Sequence, residues 1–323
     1  MRPHILSLSL LCCMPTAVMA QSPRLEKAIN LPTKVSAEAV SVSPAGSLVA
    51  ATCSDHVVRI WSMRSGELLR SLKQEGGQPG VQFSGDGRLL AVSYEIIAYE
   101  KGVIKVFDVD SWKVQDDLAS LPVYALTFSS DSQRLARAGD FGTDVWDLTT
   151  QKKVATMSPP FGVSMAVAFS ADGKLLVTAN GDGFVRVYDA HTGSLRGTPT
   201  EFLLEPFAVT ISPDGKSVLA GGADKTVSII DSERGKVTRM LPKQSGVVSS
   251  IDVSADGNQA AVVYRSSESF VEANHLILWD LGKQTMLADF QKPGLVMMGG
   301  AFVGDRYVLA TTSGNQLTLW SIP

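Results

Sequence analysis

Apolar and polar residues alternate along this chain in runs of five or six, and clusters of turn residues separate the runs. A period of two places alternate side chains on one face of an extended segment, so each run reads as a half-buried strand. The runs are themselves periodic. Residues 167–189 read VAFSADGKLLVTANGDGFVRVYD and residues 209–231 read VTISPDGKSVLAGGADKTVSIID, a spacing of about 42. Each unit opens with a first strand, a Ser-x-Asp-Gly turn, a second strand and a tight turn. A third strand follows, ending in a bulky residue and a polar one, and then a weaker fourth strand such as GELLRSL after Ser65. The Asp-Gly pairs supply the positive φ that hairpins demand.

Seven third strands are visible, ending at Trp61, Phe107, Trp146, Tyr188, Ile230, Trp279 and Trp320. Six of these residues are aromatic and one is aliphatic, so the position asks for bulk between neighbouring units rather than for an indole. Units of this length, built of short alternating strands, predict propeller blades rather than solenoid turns. The last unit stops at Pro323 without a fourth strand, while RLEKAINL, residues 24–31, stands upstream of the first unit where a fourth strand belongs. Pairing it with QLTLWS, residues 316–321, closes a ring and removes an exposed sheet edge. The expectation is an all-β, seven-bladed β-propeller closed by an N-terminal outer strand. It forms a single domain over 21–323, with blades near 35–72, 73–118, 119–157, 158–199, 200–241, 242–290 and 291–323 plus 24–31.

The third strands carry a further mark. Trp146-Asp147 and Trp279-Asp280 end two of them, Phe107-Asp108, Tyr188-Asp189 and Ile230-Asp231 are variants, and Trp61-Ser62 and Trp320-Ser321 lose the acid. Asp55, Asp140, Asp182 and Asp224 each stand six residues before the bulky position. On these residues the chain resembles the WD-repeat β-propellers over roughly residues 35–323. The Gly-His pair that this family tends to carry before the first strand is missing from every blade, which points to a divergent, bacterial-type member. Partners of eukaryotic relatives are therefore not carried over.

A hydrophobic share of 45% with 19% charged residues suits a packed core and excludes general disorder. The first twenty residues, MRPHILSLSLLCCMPTAVMA, combine a basic start, an apolar run from Ile5, a helix-breaking Pro15, and Val18 and Ala20 at the small-residue positions of a cleavage site. They read as a secretory signal peptide cut near Ala20-Gln21, which predicts a periplasmic or secreted protein. The run is too short to span a bilayer comfortably, and no later segment could do so. Lipidation of Cys12 or Cys13 would need a small residue before the cysteine, whereas Leu11 and Cys12 stand there. Removing Arg2 with the leader leaves 28 basic against 32 acidic residues, a net charge of −4 that favours neither nucleic acid nor anionic lipid. Cys53 then stands alone, so no internal disulfide forms.

Catalytic patterns are scarce. The chain lacks a haem-attachment Cys-x-x-Cys-His, a phosphate-binding glycine loop and a His-Glu-x-x-His helix. By repeat position His56 and His275 fall at second-to-third-strand turns on one face and His191 on the other, and no metal or cofactor is expected. Asp172, Asp214 and Asp256 occupy the same turn in successive blades and read as hairpin residues standing too far apart to share a substrate. Arg137 departs from its repeat equivalents Thr52, Ala179 and Gly221. It faces Asp144, where blades 1 and 4 carry Arg59 and Arg186, which predicts a swapped cross-strand ion pair; a ligand contact is the alternative.

Loop length carries the functional signal. From the first turn to the bulky position, blades 1, 4 and 5 take 15 residues, blade 2 takes 20 and blade 6 takes 22. The additions fall at 94–102 and 265–274 and bring Tyr94, Tyr99 and Phe270 with Glu95, Glu100, Glu268 and Glu272 to one rim. Connections between blades add Tyr124, Phe161 and Phe207, and Arg137 and His275 complete the candidate set. The expectation is a non-catalytic, monomeric platform that binds another protein or a peptide through this rim, without nucleic acid and without a membrane span. The alternatives are a propeller enzyme, lactonase-like or quinoprotein-like, and a propeller that binds a small ligand or carbohydrate.

Overall fold

The computed structural model describes residues 24–322 except 75, 97–100, 121, 161, 267–274, 291–296, 304–306 and 313–315. Its strands form seven four-stranded sheets, every pairing antiparallel between sequence neighbours save one. Blade 4 shows the plan. Ser164–Phe169, Leu175–Asn180, Phe184–Asp189 and Leu195–Glu201 follow one another across the sheet, from the ring axis outward. Blades 1, 2, 3, 5 and 6 repeat this order over 37–73, 77–120, 123–157, 206–240 and 247–290. The innermost strands touch in cyclic order, and the first strand of blade 7, Met297–Val303, meets that of blade 1, Ala37–Val42.

In blades 2 to 6 the turn after the first strand is held by one small network. In blade 4 the Ser170 hydroxyl donates to Asp172 Oδ1 at 2.7 Å, and the same carboxylate oxygen accepts the Lys174 amide at 3.0 Å. The Leu175 amide then donates back to Ser170 Oγ, and Gly173 takes a φ of +68° that a Cβ would disfavour. Ser84 with Asp86, Ser129 with Asp131, Ser212 with Asp214 and Ser254 with Asp256 repeat the arrangement. These aspartates are therefore turn builders whose carboxyls sit below the usual range because serine hydroxyls and amides favour the charged form.

Apolar side chains collect between blades, and the described residues form seven clusters, one per blade boundary. The bulky third-strand residue of each blade packs toward the preceding blade. Trp279 joins Leu219, Val227 and Ile229 of blade 5, Trp146 joins Leu89 and Ile104 of blade 2, and Ile230 does the same work against Val177 and Val185 of blade 4. All seven residues are buried.

The exceptional pairing joins the two ends of the chain. Arg24–Asn30 runs antiparallel to Gln316–Ser321 and supplies the outer strand of blade 7, with Ala28 opposite Thr318 and Asn30 opposite Gln316. It is less regular than a simple strand over 24–31. The ladder slips between Leu25 and Lys27, and the strand stops at Asn30, leaving Leu31 buried beyond it. That bulge coincides with a second attachment, because Lys27 Nζ donates to the Met63 and Arg64 carbonyls of blade 1 at 2.9 and 2.8 Å. Ile29 and Leu31 share one cluster with Val49, Ala51 and Trp61 of blade 1 and Leu317 of blade 7.

Deleting residues 21–33 is expected to bare the edge of Gln316–Ser321 and take two apolar side chains from the blade 7–blade 1 core. Burial of that size is worth roughly 3–6 kcal/mol at 1.5–3 kcal/mol per side chain. Calorimetry should show a lower melting temperature, and light scattering should show increased self-association; an unchanged melting curve would refute the role assigned to this strand.

Candidate functional site

The turns between second and third strands and the connections between blades lie on one rim, and backbone hydrogen bonds lace them together. The Ser54 amide donates to Ser36 O and the Gln74 amide to His56 O in blade 1. Gly181 to Val163 and Phe202 to Gly183 do the same in blade 4, as do Ala223 to Glu205 and Gln244 to Lys225 in blade 5. Each of these turns is tied on both sides, so the rim holds its side chains on a stiff frame although it lies outside the strands.

The expected contact residues are distributed unevenly over it. Tyr124 is exposed and its hydroxyl donates to Asp140 at 2.9 Å. Phe207 is half-buried and lines a cleft with Val247, Ser249, Arg265 and Ser266. His275 Nδ1 stands 3.1 Å from Asp289 within blade 6. Tyr94 requires a correction: it is 3% exposed, lies within the strand Leu89–Ile96, and has Lys105 Nζ 5.7 Å from its ring centroid. The reason is hairpin extension. Leu89–Ile96 and Lys101–Asp108 pair as far as Ile96 opposite Lys101, so most of the extra length in blade 2 continues the ladder instead of opening a loop. Glu95 falls in that ladder, opposite Gly102. Tyr99, Glu100, Phe161, Glu268, Phe270 and Glu272 lie outside the described residues, as do residues 1–23.

The rim also presents apolar residues that the repeat pattern does not single out. Leu203 is 96% exposed, Leu204 is 54% exposed and Phe141 is 67% exposed. The two leucines occupy the connection from blade 4 to blade 5, between the exposed Glu201 and Glu205. Phe141 sits in a two-residue turn at a φ of +64°, a conformation that costs a bulky residue some strain. The available signal was an apolar residue where a turn calls for Asn or Gly, but repeat alignment reports position and not exposure.

Arg137 lies directly opposite Asp144, and both are buried. Its Nη2 and Nε donate to Asp144 Oδ2 at 2.6 and 3.1 Å, and its Nη1 donates to the Asp140 carbonyl at 3.0 Å. The Thr156 hydroxyl donates to the other Asp144 oxygen at 2.7 Å, with Lys153 Nζ at 3.3 Å. Burial raises the cost of ionising Asp144, but Thr156, Arg137 and Lys153 outweigh it and hold the carboxyl below its ordinary range. The register corrects the repeat equivalents. Opposite Arg59 stands Ala51, and opposite Arg186 stands Thr178, so the counterparts of Arg137 are these residues rather than Thr52 and Ala179. The second turn of blade 3, Asp140-Phe141, is one residue shorter than Ser54–His56 and Gly181–Gly183 and its acid stands first rather than second, which shifts the alignment by one position. In blades 1 and 4 the third-strand arginine instead pairs with the turn acid, Arg59 with Asp55 and Arg186 with Asp182, both at 2.6 Å.

Several other titratable groups are held by neighbouring residues. Asp189 is pulled down to about 2 by amides of Thr192 and His191, the Thr192 hydroxyl and Arg196. His191 Nδ1 stands 2.8 Å from Arg134 Nη2 across the boundary of blades 3 and 4. Burial raises the carboxyl of Asp252, whose oxygens accept the amides of Phe302 and Val253, and that of Asp116 in blade 2. Burial likewise raises the Cys53 thiol. No group of three or more metal-ligating side chains occurs among the described residues. Successive turn aspartates border shared clefts: Asp172 and Asp214 one of about 730 Å³, and Asp214 and Asp256 another of about 260 Å³.

Alanine at Arg137 leaves Asp144 buried without its main partner, and alanine at Asp144 strands the guanidinium; each should cost about 3–5 kcal/mol. A double-mutant cycle by urea unfolding should return a coupling above about 1 kcal/mol. Exchanging the two residues keeps the ion pair but loses the Asp140 carbonyl and Thr156 contacts, so the exchange is not neutral. Asp144 has a depressed folded-state pKa, so its contribution is full above the unfolded carboxylate value of about 3.9 and is lost as pH falls through the folded value. The stability gap between the parent and Asp144→Asn should accordingly narrow below about pH 4.

Comparison with known proteins follows the repeat. The model of the family "WD domain, G-beta repeat" matches residues 33–62, 151–189 and 204–231. The WD repeat-containing protein SL1-17 of Schistosoma mansoni is 27% identical over 163 residues, covering 48% of this chain and 51% of its own length. The U3 small nucleolar RNA-associated protein 21 homolog of Schizosaccharomyces pombe is 30% identical over 173 residues, 51% of this chain and 19% of its own. Eukaryotic translation initiation factor 3 subunit I of Coccidioides immitis is 29% identical over 155 residues, 48% of this chain and 37% of its own. The chain thus spans about half or less of the length of these relatives, which are eukaryotic and lend nothing to the bacterial-type reading. No helix among the described residues is long and apolar enough to cross a membrane. The chain carries WD40 repeats, and its described sheets are the blades of an all-β propeller.

Proposed function

We propose that this protein is an exported, non-catalytic platform that binds another protein or a peptide through the rim of second-to-third-strand turns. The observation that carries the reading is the exposure of Leu203, Leu204, Phe141 and Tyr124 on a rim whose turns are fixed by backbone hydrogen bonds. Exposed apolar and aromatic side chains on a stiff frame contribute contact area at little ordering cost on association. The first-turn aspartates together with Asp144, Asp189 and Asp252 are committed to turns, ion pairs or backbone amides, which supports binding over acid–base chemistry. One relative is by its name a subunit of a translation initiation factor, which supports assembly with other proteins as the use of such repeats. Export rests on the leader read in residues 1–20.

Replacing residues 97–100 and 267–274 by short glycine-serine links, with Leu203→Ser and Leu204→Ser, should leave the melting temperature near that of the parent. It should abolish retention of partners from an exported-protein fraction, with koff rising more than kon falls. The acidic residues at 95, 100, 268 and 272 predict that salt slows association with a basic partner. Partner retention equal to that of the parent would refute the rim as the working surface.

A further inference from the structure

The cleft at the rim between blades 5 and 6, about 390 Å³, sets a cation beside apolar walls. Phe207 and Val247 form its apolar walls, and Ser249, Ser266 and Arg265 supply its polar groups. Arg265 ends the second strand of its blade and stands opposite Val247, the first residue of the first strand. Counted five residues beyond the second-strand partner of the bulky third-strand residue, the same point holds Ser54 in blade 1, Glu95 in blade 2, Asp140 in blade 3, Gly181 in blade 4 and Ala223 in blade 5. Among these positions blade 6 alone carries a cation. None of the ion pairs among the described residues uses it. Its backbone is held tightly, since a Cβ at Gly246 would come within 2.8 Å of the Arg265 carbonyl oxygen. The guanidinium thus stands at the end of a fixed strand beside an apolar recess.

We propose that this cleft captures the carboxylate at the C-terminus of a peptide whose last side chain is apolar. The Arg265 guanidinium offers a carboxylate charge-assisted hydrogen bonds, and its fork geometry suits two oxygens at once. The last side chain of the peptide lies against Phe207 and Val247. Leu203 and Leu204, which lead into Phe207 along the same connection, meet the residues before it. This rests on the rim as the working surface and narrows it to one sector and one kind of ligand. A carboxylate on a small free acid shares the chemistry, and the test separates the two.

The experiment uses the full mature chain, immobilised, and pools of hexapeptides randomised at the first four positions and ending in two apolar residues. One pool carries free carboxylates and the other is amidated; N-acetyl-leucine serves as the small-acid competitor. Retained peptides are identified by mass spectrometry, and selected ones are measured by fluorescence anisotropy. Free-acid peptides are expected to bind about tenfold or more tightly than their amides. Arg265→Gln should erase that preference while leaving the melting temperature and the weaker amide binding unchanged, and Arg265→Lys should keep part of it. Competition by N-acetyl-leucine at peptide concentrations would assign the site to small acids and overturn the peptide reading. Equal binding of acid and amide, persistence of the preference in Arg265→Gln, or retention of neither pool would also overturn it. If acid and amide bind equally and both are lost with Leu203→Ser/Leu204→Ser, the rim stands and the carboxylate site falls.

Discussion

No blade of this protein can satisfy its own hydrophobic surface. A four-stranded sheet has two faces, and here each face finds its cover on the adjacent sheet, so the apolar core is divided among the boundaries. The bulky residue at the end of each third strand is the main link. Trp61, Phe107, Trp146, Tyr188, Ile230, Trp279 and Trp320 are buried against the preceding blade, which explains why an isoleucine serves where most blades use an aromatic ring. The boundary between blades 7 and 1 is covered partly by a strand from the far end of the chain, so the ring is complete only when both ends have met.

That arrangement confines variation to the two rims. Within the sheets a side chain is constrained by the blade behind it and the blade ahead. The exception in blade 3 illustrates the constraint: a guanidinium is accommodated only with a carboxylate directly opposite, a carbonyl for its third nitrogen and a threonine for the remaining oxygen. On the first-turn rim, serine and aspartate repeat with nearly the same geometry from blade to blade. The opposite rim varies more among its described turns, with histidine, phenylalanine and lysine at positive φ in blades 1, 3 and 5.

Features governed by local chemistry were legible in the sequence. The Ser-x-Asp-Gly turns, the pairing of Arg137 with Asp144 and the bulk at the third-strand ends each follow from residues a few positions apart. What escaped depends on register or exposure. Tyr94 reads as a loop aromatic because its blade is long, yet the added residues extend a ladder and bury the ring. The equivalents of Arg137 were displaced by one position because a missing residue cannot be located by counting from one turn alone. Leu203 and Leu204 look like any apolar pair within a strand-rich chain, and only the folded connection leaves them uncovered. Clefts shared by neighbouring turns depend on the angle between blades, which no spacing within one repeat records.

The pairing of Arg24 with Ser321 gives the ring a mechanical character. The strand Gln316–Ser321 starts at the rim of second-to-third-strand turns and ends at the opposite face, and its partner begins there, so both ends leave the ring side by side on the face away from the rim. A load drawing those ends apart acts on the Arg24–Ser321 step first and parts the two strands from that point like a zipper. It meets the slipped ladder between Leu25 and Lys27 before reaching the anchored Lys27 ammonium. A load on either end alone spares this seam, and the rim of second-to-third-strand turns lies at the opposite end of the Gln316–Ser321 strand.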